Sequence, residues 1–302
     1  MAAGVFIHRV DTNYNDAPGR YHFPGRYYSR VKSLEGQWAV YYEPVKVRNS
    51  RGFYAMGIVD KVEPDFVGGG DMFYAHIDPA NFVDFPYPVP QRGADGRLVE
   101  RALEGQSGGV SGNRQSAVRP LADADFRRIV EQGFRRPFEE VFGANQVAPP
   151  IGGGLYDQSV PFEYEVSRER KARTVNAVVR ATGFRDAVLR AYDNRCAVTG
   201  SNISSLDGSV EAQAAHIRPV TKGGPDVISN GIALSHTAHW LFDNGLLSVT
   251  DDRSILVSRH LNDAESVRAL LNASGRIIDP MDFRHRPHPV FFQWHRDNVF
   301  KH

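Results

Sequence analysis

The sequence predicts an α+β protein in two parts, and three observations carry the prediction. Up to about residue 145, aromatic and β-branched residues cluster in short runs such as Trp38 to Tyr42 and Phe53 to Val62, broken by Gly and Pro, which is how strands read. Between Gly143 and Gly154 the chain reads GANQVAPPIGGG, where tandem Pro and three consecutive Gly interrupt any regular element and mark a linker. Past it, apolar residues recur at near-helical spacing and lead into a strand, a loop and a further helix. The division that follows is 1–142, a linker at 143–165, and 166–302.

Composition narrows the class. The 302 residues are 41% hydrophobic and 24% charged, enough to bury a sizeable core and unlike a disordered, collagenous or fibrous chain. Its single cysteine, Cys196, excludes an intramolecular disulfide framework and a Cys-rich zinc knuckle, as expected in a reducing compartment. The opening Met1 to Val10 has no basic start followed by an apolar stretch, and no run of eighteen apolar residues occurs. A cytoplasmic protein with no membrane partner is therefore expected. A net charge of +1 argues against a polyanion partner for the chain as a whole. Locally the balance differs: Arg168 to Arg195 holds seven Arg and one Lys against three acids. That segment is either a solvated helix face or a phosphate-contacting one.

In order along the chain, the pairs Tyr27-Tyr28, Tyr41-Tyr42, Phe53-Tyr54 and Phe73-Tyr74 place one ring inward and one outward if they lie on strands, leaving half of them available for binding. Gln91 to Arg119 is polar and Gly-rich, hence loop, and a helix is expected from Ala122 to Gln132. Val175, Val178, Val179, Phe184, Val188 and Leu189 have helical spacing, and Thr182-Gly183 is expected to split them into two short helices. Val210 to Ile217 is a strand that delivers His216, and Lys222 to Asp226 is a loop. A helix follows from Ser235 to Asp243, where His239 and Asp243, four apart, project from one face and suit chelation of one cation. Asn244-Gly245 stops that helix, and Leu246 to Ser258 reads as a hairpin.

A strand histidine, an asparagine and a helix bearing an imidazole and a carboxylate make a hydrolytic metal centre. The cation stabilises charge developing on a phosphate, while a neutral histidine takes the proton of the attacking water. With CAVTG after a helix, AAHI-x-P, a Gly-Gly loop ending in Asn-Gly, and HWLFDNGL, the stretch from about 170 to 260 resembles the HNH nuclease family, and His216, Asn230 and His239 stand in its order and spacing. The resemblance implies a ββα-metal fold and a single-metal phosphodiesterase using Mg2+, Mn2+ or a similar ion. In it His216 is general base, Asn230 orients it and steadies the loop, and His239 and Asp243 bind metal.

Many members place a metal ligand just before the base, where this chain has Ala215. Gln213 points to the same side of the strand about 6 to 7 Å away and is expected to substitute directly or through water, with Glu211 more distant. Arg180, Arg185, Arg190 and Lys222 are the expected contacts to a DNA backbone. Cys196 is expected to pack as a small hydrophobe and His236 to be merely exposed, and His285, His288 and His295 have no partner legible in the sequence.

In the first half, Tyr14 to Tyr28, Gln37 to Pro44 and the strand at Gly52 to Ala55 resemble a β-barrel of the PUA superfamily, of EVE, ASCH or SRA type, several of whose domains hold a modified base in an aromatic pocket. A flipped base needs aromatic planes and polar groups for its edge. Tyr14, Asp16, Tyr21, His22, Trp38 and Asp84 are the candidates. Together the halves resemble a modification-dependent restriction endonuclease, a defence enzyme acting on modified double-stranded DNA. One HNH centre cuts one strand, so a double-strand break requires two events or two copies, which a homodimer supplies. The rival readings are a nuclease guided by unmodified sequence or shape, RNA included as a substrate, and a non-catalytic nucleic-acid-binding protein disabled at Ala215.

Overall fold

A computed structural model describes residues 3–9, 19–67, 70–104, 116–142, 175, 177–206 and 208–302. Tyr14, Asp16 and the predicted linker lie outside them. In the first half the strands are β1 (Ala3–Ile7), β2 (Arg20–Pro24), β3 (Trp38–Glu43), β4 (Gly52–Pro64), β5 (Met72–Ile77), β6 (Val83–Val89) and β7 (Val118–Leu121). They form one sheet in the order β2-β5-β4-β3-β1-β7, with β6 paired to β4. The β1–β3 pair is parallel and the other pairs are antiparallel. The long β4 shifts register between Val59 and Lys61 and passes from pairing with β3 to pairing with β5, which bends the sheet.

Strand β3 is buried along its whole length, and its alternation feeds two cores. Trp38, Val40 and Tyr42 pack with helices α2 (Asp123–Phe134) and α3 (Phe138–Phe142), whereas Ala39 and Tyr41 pack with Phe6, Tyr21 and Phe23. Two of the aromatic pairs are therefore not half exposed: Tyr41, Tyr42, Phe53 and Tyr54 are all buried, whereas Tyr28 is exposed and Tyr27, Phe73 and Tyr74 are partly so. Helix α1 (Tyr28–Lys32) covers the β7 edge, where Arg30 donates to the Val118 carbonyl.

The expected barrel does not close, since β2 and β7 end the path without pairing. Side chains span the gap instead: the Tyr21 hydroxyl reaches the Ile7 and Ala117 carbonyls at 3.0 and 3.3 Å, and the Ala117 N–H donates to the Tyr27 hydroxyl. Tyr21 bridges that seam and α2 and α3 cover the other face, and among the described residues no backbone ladder completes the ring.

Helix α4 (Ala177–Ala191) joins the halves as one continuous helix, not the expected two. Gly183 permits close approach here. A Cβ would lie 3.0 Å from Pro86 on β6 and 3.3 Å from Phe134 on α2, so the glycine is a packing residue and not a stop. The beginning of α4 contributes Val179 to the first core and its remainder contributes Phe184, Val188 and Leu189 to the second.

The second core surrounds a small unit of β8 (Gln213–His216), β9 (Gly231–Leu234) and α5 (His236–Asp243), followed by the hairpin β10 (Leu247–Val249) and β11 (Ile255–Val257) and by helices α6 (Ala264–Leu270) and α7 (Pro289–Asn298). Strands β8 and β9 pair antiparallel, with His216 opposite Gly231. Ser235 caps α5 by accepting from the Ala238 N–H, and Gly245, at φ 69°, reverses the chain after it. Cys196 is fully buried in this core. His295 is buried too, stacked on Phe242 at 3.8 Å and bonded to the Ser248 hydroxyl, partners the sequence does not reveal.

The halves are tied by polar contacts. Asp84 accepts from the Ile228 N–H at 2.7 Å, Val83 bridges to Asp226, and Arg284 reaches Glu43 at 2.5 Å and the Asn49 carbonyl at 2.9 Å. Among the described residues no helix is long and apolar enough to cross a membrane.

Candidate active site

Strand β8 delivers His216 to the foot of α4. Its ring lies flat on Phe184, with centroids 3.7 Å apart and planes within 4°, and its Nε2 is 2.8 Å from Asp226 Oδ1. Asp226 is nearly buried, and its second oxygen meets Arg180 Nε at 3.0 Å. The His216 side chain keeps 24% of its surface in solvent. A carboxylate only accepts hydrogen bonds, so it calls for the proton of a neutral ring on Nε2 and leaves the Nδ1 lone pair for a proton from outside. Among the described residues no hydrogen bond engages Nδ1.

Asn230 is fully buried and is placed for one of its two expected tasks, steadying the loop. Its Oδ1 accepts from the Arg218 N–H, and its Nδ2 donates to the Arg218 and Pro225 carbonyls, so it closes the loop 218–230 onto itself. Among the described residues Asn230 makes no hydrogen bond to His216, whose orientation it was expected to set, because its side-chain polar atoms are spent on backbone. The orienting partner of the ring is Asp226, which sequence reasoning passed over as a loop residue. Its one trace in the sequence is a carboxylate beside a Pro in the loop before Asn230.

The structure brings a second group together on α5 and the start of β8. His239 Nε2 and Asp243 Oδ2 are 3.2 Å apart across one helical turn. Gln213 accepts with Oε1 from His239 Nδ1 at 2.8 Å and donates with Nε2 to His236 at 2.9 Å. Glu211 accepts from the His236 N–H, so His236 is held from both sides and is not merely exposed. Burial raises the Asp243 carboxyl above its usual range, with His239 opposing.

These residues fit a divalent cation. With Nδ1–H committed to Gln213, two lone pairs, those of His239 Nε2 and Asp243 Oδ2, face each other at 3.2 Å and need a proton or a cation between them. Gln213, expected to substitute as a ligand directly or through water, is bonded to His239 Nδ1 and fixes its tautomer, as outer-shell partners of metal-binding histidines do. Among the described residues no cluster of three or more His, Cys, Asp or Glu completes a cage, so other donors would be solvent or phosphate oxygens.

The predicted phosphate contacts are redistributed. Arg180 is withdrawn into its pair with Asp226. Arg190 lies over the Tyr87 ring at 4.2 Å, with Arg135 also over that ring at 3.7 Å. Arg185 and Lys222 are exposed, and Arg168 to Arg173 lie outside the described residues.

Of the predicted base-pocket residues, three are core or structural. Trp38 is 1% exposed against Phe126 and Phe142, Tyr21 ties β2 to the β1 and β7 ends, and His22 is buried, stacked on Tyr74 and 3.2 Å from Asp65. Asp84 lines a cavity of about 250 Å³ between the sheet and the second half, with Tyr41, Tyr54, Phe82, Arg51 and Ser229 among its walls. Burial pushes the Asp84 carboxyl up to about 6, against the Ile228 N–H and Arg51. His285, without a legible partner in the sequence, also lines this cavity.

Comparison with known proteins places an HNH endonuclease domain at residues 196–250. Among solved structures, the modification-dependent TagI restriction endonuclease is similar at 28% identity, over 45% of this chain and 44% of that one, with a TM-score of 0.32. The type IV phosphorothioation-dependent restriction endonuclease ScoMcrA is similar at 14% identity, over 79% of this chain and 52% of that one, with a TM-score of 0.20. The chain thus matches about half the length of each. No curated protein matches it.

Proposed function

On the premise of the HNH endonuclease domain at residues 196–250, we propose that the protein is a metal-dependent endonuclease that cuts double-stranded DNA carrying a modified base. The observation that carries this reading is the state of His216: Nε2 is tied to Asp226 and Nδ1 is open, in the same small unit as the His239 and Asp243 pair. His216 Nδ1 takes a proton from water as the water oxygen bonds to phosphorus and the P–O bond to the leaving oxygen breaks. His239 and Asp243 would hold the cation, and Gln213 orients His239. A divalent ion such as Mg2+ or Mn2+, when bound, supplies charge stabilisation on the scissile phosphate. Arg185, Arg190 and Lys222 meet the backbone of the duplex, and Asn230 keeps the loop closed.

The first half is the reader. An extruded base costs a few kcal/mol to unstack, which ring contacts and hydrogen bonds to its edge recover. The cavity at Asp84 offers both, with Tyr41, Tyr54 and Phe82 as planes and Asp84 as acceptor. This pocket replaces the expected one at Tyr21, His22 and Trp38, and a pair of copies would make a double-strand break.

The test is cleavage of matched duplexes, unmodified, cytosine-modified and adenine-methylated, with Mg2+ or Mn2+, by wild type and His216→Ala. Cleavage of a modified duplex alone, and by wild type alone, is expected. Equal cutting of plain DNA overturns the reader and leaves a nuclease guided by sequence or shape. Tight binding with no cutting of any duplex overturns the enzyme.

A further inference from the structure

We propose that Asp226 is the positioning residue that sets the tautomer of His216, and that the N-terminal sheet holds it in place through Asp84, so that the first half of the chain acts on the cutting centre through residues 226–228. The inference rests on His216 as the general base. It adds an orienting residue outside the His216, Asn230 and His239 pattern and a connection between the two halves.

Both oxygens of Asp226 are committed, Oδ1 to His216 Nε2 and Oδ2 to Arg180 Nε. The carboxylate is thereby held in one orientation, and Phe184 fixes the plane of the ring it addresses. An acceptor at Nε2 selects the Nε2–H tautomer, the one whose Nδ1 is basic. Once Nδ1 takes a proton, the imidazolium lies against a carboxylate and is stabilised where it forms. Arg180 is the other charged group on that carboxylate, and it lowers the cost of keeping Asp226 buried as an anion.

The backbone that carries Asp226 is fastened to the other half at two places. Val83 bridges to Asp226 itself, and the Asp84 carboxylate, adjacent on β6, accepts from the Ile228 N–H two residues on. Asp84 also lines the cavity, as do Val227 and Ser229. Whatever fills that cavity therefore touches the segment that holds Asp226, and displacement there shifts the partner of His216.

The ring-nitrogen NMR spectrum of His216 in the wild-type protein reads the tautomer without substrate or metal. The Nε2–H form is expected, and the Nδ1–H form overturns the proposal. In Asp226→Asn, Arg180 draws the amide oxygen and leaves the amide N–H facing the ring, so His216 shifts to Nδ1–H. On the duplex cut fastest in the substrate comparison, kcat then falls about 10²- to 10⁴-fold with KM unchanged, and the acidic limb of the pH profile, the one a general base governs, moves. Asp84→Ala lowers kcat less, about tenfold by the loss of one strut among several. If His216→Ala is inactive while Asp226→Asn keeps wild-type kcat and pH profile, the proposal falls and the nuclease reading stands. If His216→Ala still cuts, the reading of His216 as base falls, and the inference falls with it.

Discussion

Replacing Asp84 with Asn probes the junction between the halves through the pH dependence of stability. The folded protein raises this carboxyl from 3.8 to about 6, first because it is buried. A group with a raised folded pKa binds more protons folded than unfolded between those two values, so stability falls as pH rises through that window. The difference of about two pKa units amounts to about 3 kcal/mol, fully present below pH 4 and lost above about pH 6.5. Asn keeps an oxygen for the Ile228 N–H, and its amide N–H groups face the cavity, so Asp84→Asn removes the titration and keeps the bond. His8 and His295 slope the other way, because burial lowers each to about 4 and protonation on unfolding costs stability below pH 6.5. The raw wild-type curve therefore mixes opposing contributions, and the difference between wild type and variant isolates Asp84. Urea unfolding followed by the fluorescence of buried Trp38 at pH 4, 5.5 and 7.5 measures it. The variant gains about 3 kcal/mol on wild type from pH 4 to 7.5 if the reasoning is sound. Parallel curves for the two proteins would refute it.

Gln213→Leu removes the acceptor on His239 Nδ1 and is expected to weaken Mn2+ binding by about 10- to 100-fold in calorimetry, with the fold unchanged in circular dichroism. Trp38→Ala opens a large cavity between β3 and the helices and is expected to cost about 3 to 5 kcal/mol in denaturant unfolding, with no selective loss of preference for modified DNA. Gly224→Ala would set a Cβ 1.8 Å from the Arg218 carbonyl and 2.9 Å from Asn230 Nδ2, so cleavage by this variant is expected to drop at least tenfold while the buried tryptophan signal of the first half is kept; wild-type cleavage would show that the loop is free to rearrange.

The sequence by itself determined the cutting half in outline. Spacing fixed β8 and α5, because a chelating pair four apart on a helix and a histidine on a short strand are local facts of period 3.6 and period 2, whereas β9 was not read from it. The helix stop at Gly245 and the hairpin after it were legible for the same reason. What the sequence did not determine is what each side chain meets from far along the chain. Gly183 reads as a break until β6 and α2 come close enough to need the missing Cβ. Asn230 reads as both steadying the loop and orienting His216, and its bonds to Arg218 and Pro225 serve the loop and leave the ring to Asp226. Arg180 reads as a phosphate contact until a buried carboxylate 46 residues on draws it inward. The first half resembles a PUA-type barrel in its pattern of aromatics and strands, and such a pattern says nothing of closure, which depends on whether the two end strands meet. Periodicity is a property of neighbours in sequence and survives in any fold. Which polar groups are buried together is set by the packing of distant segments, and there desolvation decides which acid must find which base.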